Sequence, residues 1–508
     1  MKVLLDTNII IHREASSIVN REIGVLFKWL DKLHYIKCIH PTTIQEINKH
    51  KDEKVRSAMN VKLDSYEQLK TQSSIDQIVQ SLSDKVDKTE NDLNDTLILN
   101  EIYAERVDYL ITEDKKIHEK GKFLNISDKI FRINSFLEKV HAENPDLIDY
   151  KVLSVKKEYF SNININDPFF DSFKDDYVGF EQWFNKKANE VAYICQAEDK
   201  SILAFLYIKV EDRNENYADI RPIFTRKKRL KIGTFKIISN GFKLGERFLK
   251  IIFDNALINK VDEIYVTIFN KTFEQQMLVS LLNDWGFYEY GIKETQSGNE
   301  FVYVRDFSKN VNKLKPKKTF PFITKNTNFF IVPIFPKYHT NLFPDSILRT
   351  ESPKDFVENE PHRNAISKVY ISRSFERRLQ PSDIIVFYRT AVQGQSAYYS
   401  SVISTIGIVE SVVTNIKNAE EFISLCRKRS VFTDDELRKH WDYNTKSQPF
   451  IVNFLYLYSL NKRLTRKDLI DSKVFVDGYA PRGFDKISKE KFELIIKESK
   501  SDGSFIID

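Results

Sequence analysis

Four acidic side chains carry the chemistry most readable in this chain, because each stands where a strand is about to give way to a helix or loop. Asp6 closes the apolar run Val3-Leu4-Leu5 in MKVLLDTNIII, and Glu46 follows the short apolar strand Ile36–Ile39 in HPTTIQEINKH. Asp95 opens the helical segment NDTLILNEIYAE, and Asp114 follows the strand Val107–Thr112 in VDYLITEDKKI. In a parallel α/β sheet the carboxyl ends of the strands share one edge, where ligands bind, so acids drawn from four such places are expected to converge. Convergence without a cation drives carboxylates toward partial protonation. A hard divalent ion, Mg²⁺ or Mn²⁺, suits such an all-oxygen set, and the chemistry expected of it is phosphodiester hydrolysis. Each acid also has a plain structural reading. Asp6 can cap a helix starting near Asn8, Thr43 and Glu46 fit a T-x-x-E capping box, Asn94 or Asp95 can be an N-cap, and Asp114 a turn residue. Glu90, Asp92 and Glu113 read as solvated charges, with Asp92 open to a supporting role.

The segments LLDTNIII, TTIQEI, NDTLIL and ITEDKKI occur in the order and spacing of a PIN domain, which residues 1 to about 145 resemble. That resemblance implies a parallel-sheet nuclease in which Asp6, Glu46, Asp95 and Asp114 hold the metal, with Asn8 and Thr112 as polar support. It further implies RNA such as tRNA as substrate, a toxin–antitoxin or defence role, and a homodimer as an assembly open to it.

The elements change character after Pro145. Residues 191–210 read as two strands around Glu198-Asp199-Lys200, followed by a strand at Leu230–Ile238 and a helix in GFKLGERFLKIIFDNALINK. A strand Glu263–Thr267, the helix FEQQMLVSLLNDW and a strand Glu300–Arg305 complete an α/β pattern. Lys243-Leu244-Gly245-Glu246-Arg247, Thr267-x-x-Asn270 and Leu281-Leu282-x-x-Trp285-Gly286-Phe287 make this stretch similar to GNAT acetyltransferases. The resemblance implies acetyl-CoA, its pyrophosphate held at the first helix's N-terminus by residues 243–247, where unsatisfied N–H groups favour an anion. Two positions depart from the family: Lys243 stands where a glycine is usual, and Leu282 where a tyrosine commonly serves as general acid. An acetyltransferase acting on a protein or nucleobase, and a degenerate domain binding CoA or nothing, both stay open.

A third stretch is β-rich: Phe329–Ile334, Lys368–Ser372, Asp383–Arg389, Ser401–Val413 and Phe450–Leu457, with helices near 420–427 and 434–440. VYISRSF, PSDIIVFYRT, IGIVESV and Ile487-Ser488-x-x-x-Phe492 make it resemble the PUA-like superfamily, nearest the ASCH and EVE groups. That implies a partly open β-barrel binding RNA, with Tyr370, Phe375, Tyr388 and Trp441 able to stack on bases and Arg373, Arg377, Arg378 and Arg389 facing phosphate. Core packing is the competing reading for each aromatic.

The expected architecture is thus α/β: a PIN-like domain at 1–147, a GNAT-like domain at 148–310, a basic linker at 311–325 and a PUA-like domain at 326–508. A length of 508 residues agrees with about three domains, and 42% apolar with 13% aromatic content supports packed cores rather than disorder. Cys38, Cys195 and Cys426 are odd in number and far apart, forming neither a disulfide framework nor a zinc motif, so a reducing cytoplasm is expected. No signal peptide is read at the start, and no apolar run approaches the roughly 20 residues that span a bilayer. Net charge is only +6; the basic runs Arg226–Lys231 and Lys313–Lys318 fit either nucleic-acid backbone or a solvated loop.

Overall fold

The computed structural model describes residues 1–14, 21–49, 56, 63, 65–143, 155–197, 199–238, 243–346, 361–394, 396–427, 429–444 and 446–507. The expected boundary near 147, the turn residue Glu198 and the start of the GFKLGER segment lie outside them. Two compact units are present, Met1–Asp149 and Tyr150–Asp508.

In the first unit, strands β1 (Lys2–Leu5), β2 (Ile36–Ile39), β3 (Glu67–Gln68), β4 (Tyr109–Ile111) and β5 (Ile130–Phe131) form one sheet in the order β3-β2-β1-β4-β5. Every pairing in it is parallel. Helices alternate with or follow these strands: α1 (Thr7–Glu14), α2 (Arg21–Lys32), α3 (Pro41–Asn48), α4 (Gln77–Val86), α5 (Glu90–Tyr103), α6 (Lys115–Phe123) and α7 (Ile133–Glu143). A parallel sheet needs crossover connections that cover its faces, which is why Val3, Leu4 and Leu5 are all fully buried rather than alternating. Strand order reverses direction at β1/β4. A crevice therefore opens beyond the carboxyl ends of those two strands, and Asp6 and Thr112 are the residues that immediately follow them.

The second unit holds an eight-stranded sheet, β6 (Lys156–Tyr159), β7 (Val191–Gln196), β8 (Ile202–Glu211), β9 (Ile220–Arg221), β10 (Arg229–Ile237), β11 (Glu263–Ile268), β12 (Tyr288–Thr295) and β13 (Gly298–Asp306). Its order is β6-β7-β8-β10-β11-β13-β12-β9. All its pairings are antiparallel except β10 with β11. The parallel ladder runs from Arg229↔Glu263 to Ile232↔Val266 and stops, although β10 continues to Ile237. A bulge between Ile232 and Thr234 turns β10 onward with β8, while β11 stays on β13 as far as Ile268↔Phe301. The two strands are thus clamped at their beginnings and separate at their ends. The clamp is chemical: buried Arg229 donates to Glu263 Oε2 at 2.9 Å and lies over the rings of Phe224 and Tyr217, and Lys227 also pairs with Glu263. Short helices α8 (Asp171–Asp176) and α9 (Phe180–Lys186) precede β7, α10 (Leu244–Asn259) joins β10 to β11, and α11 (Phe273–Asp284) follows β11 behind a Thr272/Gln275 capping box.

The rest of this unit contains β14 (Ile323–Thr324), β15 (Phe329–Ile334), β16 (Ser367–Ser372), β17 (Ile384–Arg389), β18 (Val402–Val413), β19 (Phe450–Thr465), β20 (Asp485–Ile487) and β21 (Ile506–Ile507). Six of these form a sheet in the open order β16-β19-β18-β17-β15-β20, and β14 pairs with β21. The expected barrel is therefore not closed among the described residues. Helices α12 (Pro336–Leu342), α13 (Pro361–Asn364), α14 (Ala397–Ser400), α15 (Ala419–Cys426), α16 (Asp434–Asp442), α17 (Arg466–Asp471) and α18 (Lys489–Glu498) complete it. Within residues 311–325, expected as a linker, 312–315 are exposed while 320–324 are buried, Phe320 and Phe322 among them, and Arg305 donates to the Phe320 carbonyl.

Candidate active sites

At the edge of the first sheet, Asp6 is almost fully buried and held by three donors. Its Oδ1 accepts the Thr7 amide at 2.7 Å; its Oδ2 accepts Asn8 Nδ2 at 2.9 Å and the Thr112 hydroxyl at 2.5 Å. Thr112 also accepts the Asp114 amide at 3.0 Å, so one hydroxyl ties the ends of β1 and β4 together. Asp114 is the N-cap of α6, accepting from the amides of Lys116 and Ile117. Glu46 projects from α3 and accepts from Asn94 Nδ2 at 3.0 Å.

Asp95 corrects the sequence reading. Thr89, not Asn94 or Asp95, caps α5, in a capping box with Asp92, and Asp95 lies in the helix's second turn. The box also explains Asp92, expected as a solvated charge: it is buried, satisfies the helix start and accepts Lys116 at 2.6 Å. Likewise α3 is capped by His40, so Thr43 and Glu46 form no capping box. Glu113 is half-buried and accepts the Ile133 amide at the start of α7, with burial pushing its carboxyl up to about 7.

The four acids feel one another. Burial, then the charges of Asp114, Asp6 and Glu46, raises the Asp95 carboxyl to about 8. Burial raises Asp6 to about 6 despite its hydrogen bonds, and Asp114 and Glu46 add to the rise. Burial is the larger cause in both, and the neighbouring carboxylates add a smaller repulsion that a cation would relieve. Asn8 Oδ1 is buried without a hydrogen-bond partner, a further oxygen able to meet a cation. Among the described residues, however, no group of three or more His, Cys, Asp or Glu stands in a metal-holding arrangement. The donor set fits Mg²⁺ or Mn²⁺ in its chemistry, not in shared ligand geometry.

The second site lies where β10 and β11 part. Lys243 precedes α10 with φ 57, a left-handed backbone that glycine adopts without strain, at the position where the family has glycine. Leu244 is buried, and a methyl group added to Gly245 would meet Leu281 Cδ2 of α11 at 2.7 Å, so this glycine lets the two helices approach. The side chains of Glu246 and Arg247 are engaged elsewhere, which leaves the expected role of this segment to its backbone N–H groups. Glu246 is buried and accepts the Ser367 amide at 2.7 Å. Burial opposes its charge, yet Lys243, Lys317 and Arg429 hold it down to about 2. Arg247 makes a two-armed ion pair with Asp345, at 2.8 and 3.1 Å. Leu282, at the family's tyrosine position, is fully buried.

Sequence reasoning missed a polar patch on one face of this sheet. Glu211 Oε2 accepts the hydroxyls of Tyr217 (3.0 Å) and Tyr265 (2.7 Å), and Lys231 lies 3.9 Å from Glu211 Oε1, its ammonium disfavoured by burial. Glu300 accepts the Tyr177 hydroxyl at 2.7 Å; it stands one residue beyond Phe301, the partner of Ile268 at the end of β11, hence at the open end. The signal was present as alternation: Lys209 and Glu211, then Glu263, Tyr265 and Thr267, each fall on one side of their strand.

In the six-stranded region, most of the aromatics expected to stack on bases are packed. Tyr388 is buried, Tyr370 donates to the Pro333 carbonyl, and Trp441 packs on Phe422; only Phe375 is fully exposed. Arg389 is buried, Arg373 and Arg377 bind backbone carbonyls of residues 440–448, and Arg378 pairs with Glu376.

No protein-family model and no curated protein matches the sequence. Solved structures match in part. An ASCH protein from Zymomonas mobilis is 10% identical with a TM-score of 0.24, over 34% of this chain and 95% of that one. An N-acetyltransferase from Staphylococcus aureus is 10% identical with a TM-score of 0.23, over 30% and 97%. A chain of the NatC complex bound to Gag peptide and CoA is 14% identical with a TM-score of 0.22, over 31% and 100%. Likeness at these scores carries no conclusion about this chain.

Proposed function

We propose that the second unit transfers an acyl group from an acyl-coenzyme A to an amine. The opening between β10 and β11, the sole parallel pair of the eight-stranded sheet, carries this reading. Beyond Ile232 the edge of β10 that faced β11 has no ladder partner among the described residues, so its backbone groups can pair with an extended donor arm. The start of α10 follows as an anion site for phosphate. A thioester lying in the opening would present its carbonyl to an acceptor on the polar face. Glu300, oriented by Tyr177, is the carboxylate placed to take the amine proton. With leucine at position 282 no tyrosine hydroxyl is available there, and the leaving thiolate must draw its proton elsewhere. Isothermal titration of the whole chain with CoA, then thiol release from acetyl-CoA with a panel of amines, tests this. Micromolar binding and release lost in Glu300→Gln support it; absence of CoA binding ends it.

A second reading belongs to the first unit: metal-dependent hydrolysis of RNA. It rests on Asp6 and Asp114, tied together through Thr112 at the ends of β1 and β4, with Glu46 and Asp95 near enough to add to the proton affinity of Asp6 or to share in its repulsion. These four would hold Mg²⁺ or Mn²⁺, which would supply Lewis acidity toward a phosphodiester. Asp6 is fixed by its three donors, and Asp6 and Asp95, raised to about 6 and about 8, are carboxyls able to hold or release a proton on either side of neutral pH. RNA as partner, tRNA as target and a toxin or defence role belong to this reading. Incubation with tRNA and with DNA, in Mn²⁺, Mg²⁺ or EDTA, decides it. Cleavage by the parent and not by Asp6→Asn/Asp95→Asn is expected; metal-independent or unaltered cleavage would exclude it.

A further inference from the structure

We infer that Asp345, which lies outside the acyltransferase-like stretch, is a positioning residue for the acyl-donor site; this rests on the acyl-CoA reading above. The first turn of α10 is where that reading places phosphate, and it is fastened by the region that follows the eight-stranded sheet in sequence. Arg247, four residues into the helix, holds Asp345 with both arms. One residue earlier, Glu246 accepts the amide of Ser367, the first residue of β16, the terminal strand of its sheet. A terminal strand has amides without ladder partners, and a carboxylate from α10 satisfies one of them.

Asp345 is itself anchored. Its carbonyl accepts the Ser459 hydroxyl at 3.0 Å; Ser459 accepts from Ser346 at 2.8 Å, and Ser346 meets Thr405 at 2.7 Å. Thr405 meets Ser404 at 3.1 Å, which meets His339 at 2.6 Å. A continuous chain of hydroxyls therefore ties the Asp345 backbone to β18 and β19, the longest strands of the six-stranded sheet. Two charged groups already committed to this fastening cannot also serve phosphate. Arg247 acts through the helix it holds, fixing where the amides of Leu244 and Gly245 point.

The test is CoA affinity of the full chain below its melting temperature, measured by isothermal titration. Asp345→Asn is expected to weaken CoA binding by roughly threefold to thirtyfold. Asp345→Glu, which keeps the charge, and the exchange of Arg247→Asp with Asp345→Arg should each recover most of the affinity. A merely structural pair would lower thermal stability without moving the affinity of the folded protein, and that result overturns the inference. Should Asp345→Asn fail to fold, the glutamate and exchange variants decide alone, and loss of affinity in both overturns it. No binding by the parent chain removes the acyl-CoA reading itself, a failure visible before any variant is made.

Discussion

A single hydroxyl, that of Thr112, shows how the acidic site is built residue by residue. It donates to Asp6 and accepts from the Asp114 amide, so Thr112→Val leaves the Asp114 amide without this acceptor and buried Asp6 Oδ2 with Asn8 as its one remaining donor. The expected cost is about 1–3 kcal/mol in urea unfolding, with the Asp6 carboxyl titrating higher still; an unchanged midpoint would show that the bridge is dispensable. The acids also set a pH dependence. Folded values of about 6 for Asp6 and about 8 for Asp95 exceed the roughly 3.9 of an unfolded aspartate. Between those limits the folded state binds protons that the unfolded state has released, so stability falls as pH rises from about 4 to 8. In EDTA, Asp95→Asn should flatten that fall and raise the thermal midpoint at pH 8 by on the order of several degrees. Parallel melting curves for parent and variant would contradict it. The acids themselves were legible from their places after apolar runs. The proton affinities were not, since they depend on burial and on separations that span 108 positions of sequence.

Elements decide where the sites open. Strands β10 and β11 are held together at Arg229–Glu263 and released at a bulge four residues on. Glu263→Gln leaves the buried guanidinium of Arg229 without its counter-charge, and a loss of about 3–5 kcal/mol is expected for such a broken pair. Chemical unfolding measures it, and a loss below about 1 kcal/mol would mean that the rings of Phe224 and Tyr217 suffice to hold Arg229. The strand and helix identities here were readable from apolar alternation and helical spacing. The bulge was not: no residue between Ile232 and Thr234 except Gly233 marks it, and glycine in a strand admits several outcomes. Helix starts were read less well than helix bodies. Thr89 rather than Asn94 caps α5 because the Thr89 hydroxyl and the Asp92 carboxylate satisfy each other's backbone amides, a reciprocity that only the placed side chains reveal.

At the scale of the molecule, among the described residues the first unit has one sheet with a buried cluster around Leu4, Ile98, Leu99 and Leu110, and the second has three sheets with buried clusters of its own. Differential scanning calorimetry of the whole chain should therefore resolve two transitions. Mn²⁺ is expected to raise one and CoA the other, each by about 2.7 kcal/mol of stabilisation at a hundredfold excess over Kd. A single transition moved by both ligands would refute the division. No helix among the described residues is long and apolar enough to cross a membrane.

Sequence by itself determined the parallel α/β character of the first unit, many of the strands and helices of the second, and the places of Asp6 and Asp114 just after β1 and β4, because local apolar periodicity and chain direction are enough for these. Tertiary structure alone decided which side chains remain available. Tyr388 and Arg389 are buried, and Glu246 and Arg247 are occupied by Ser367 and Asp345. It also decided that 320–324 are buried while 312–315 of the same basic stretch stay exposed. The physical reason is the same throughout: a charge or an aromatic ring has the same identity in a core and on a surface, and only the arrival of distant partners settles which of the two it occupies.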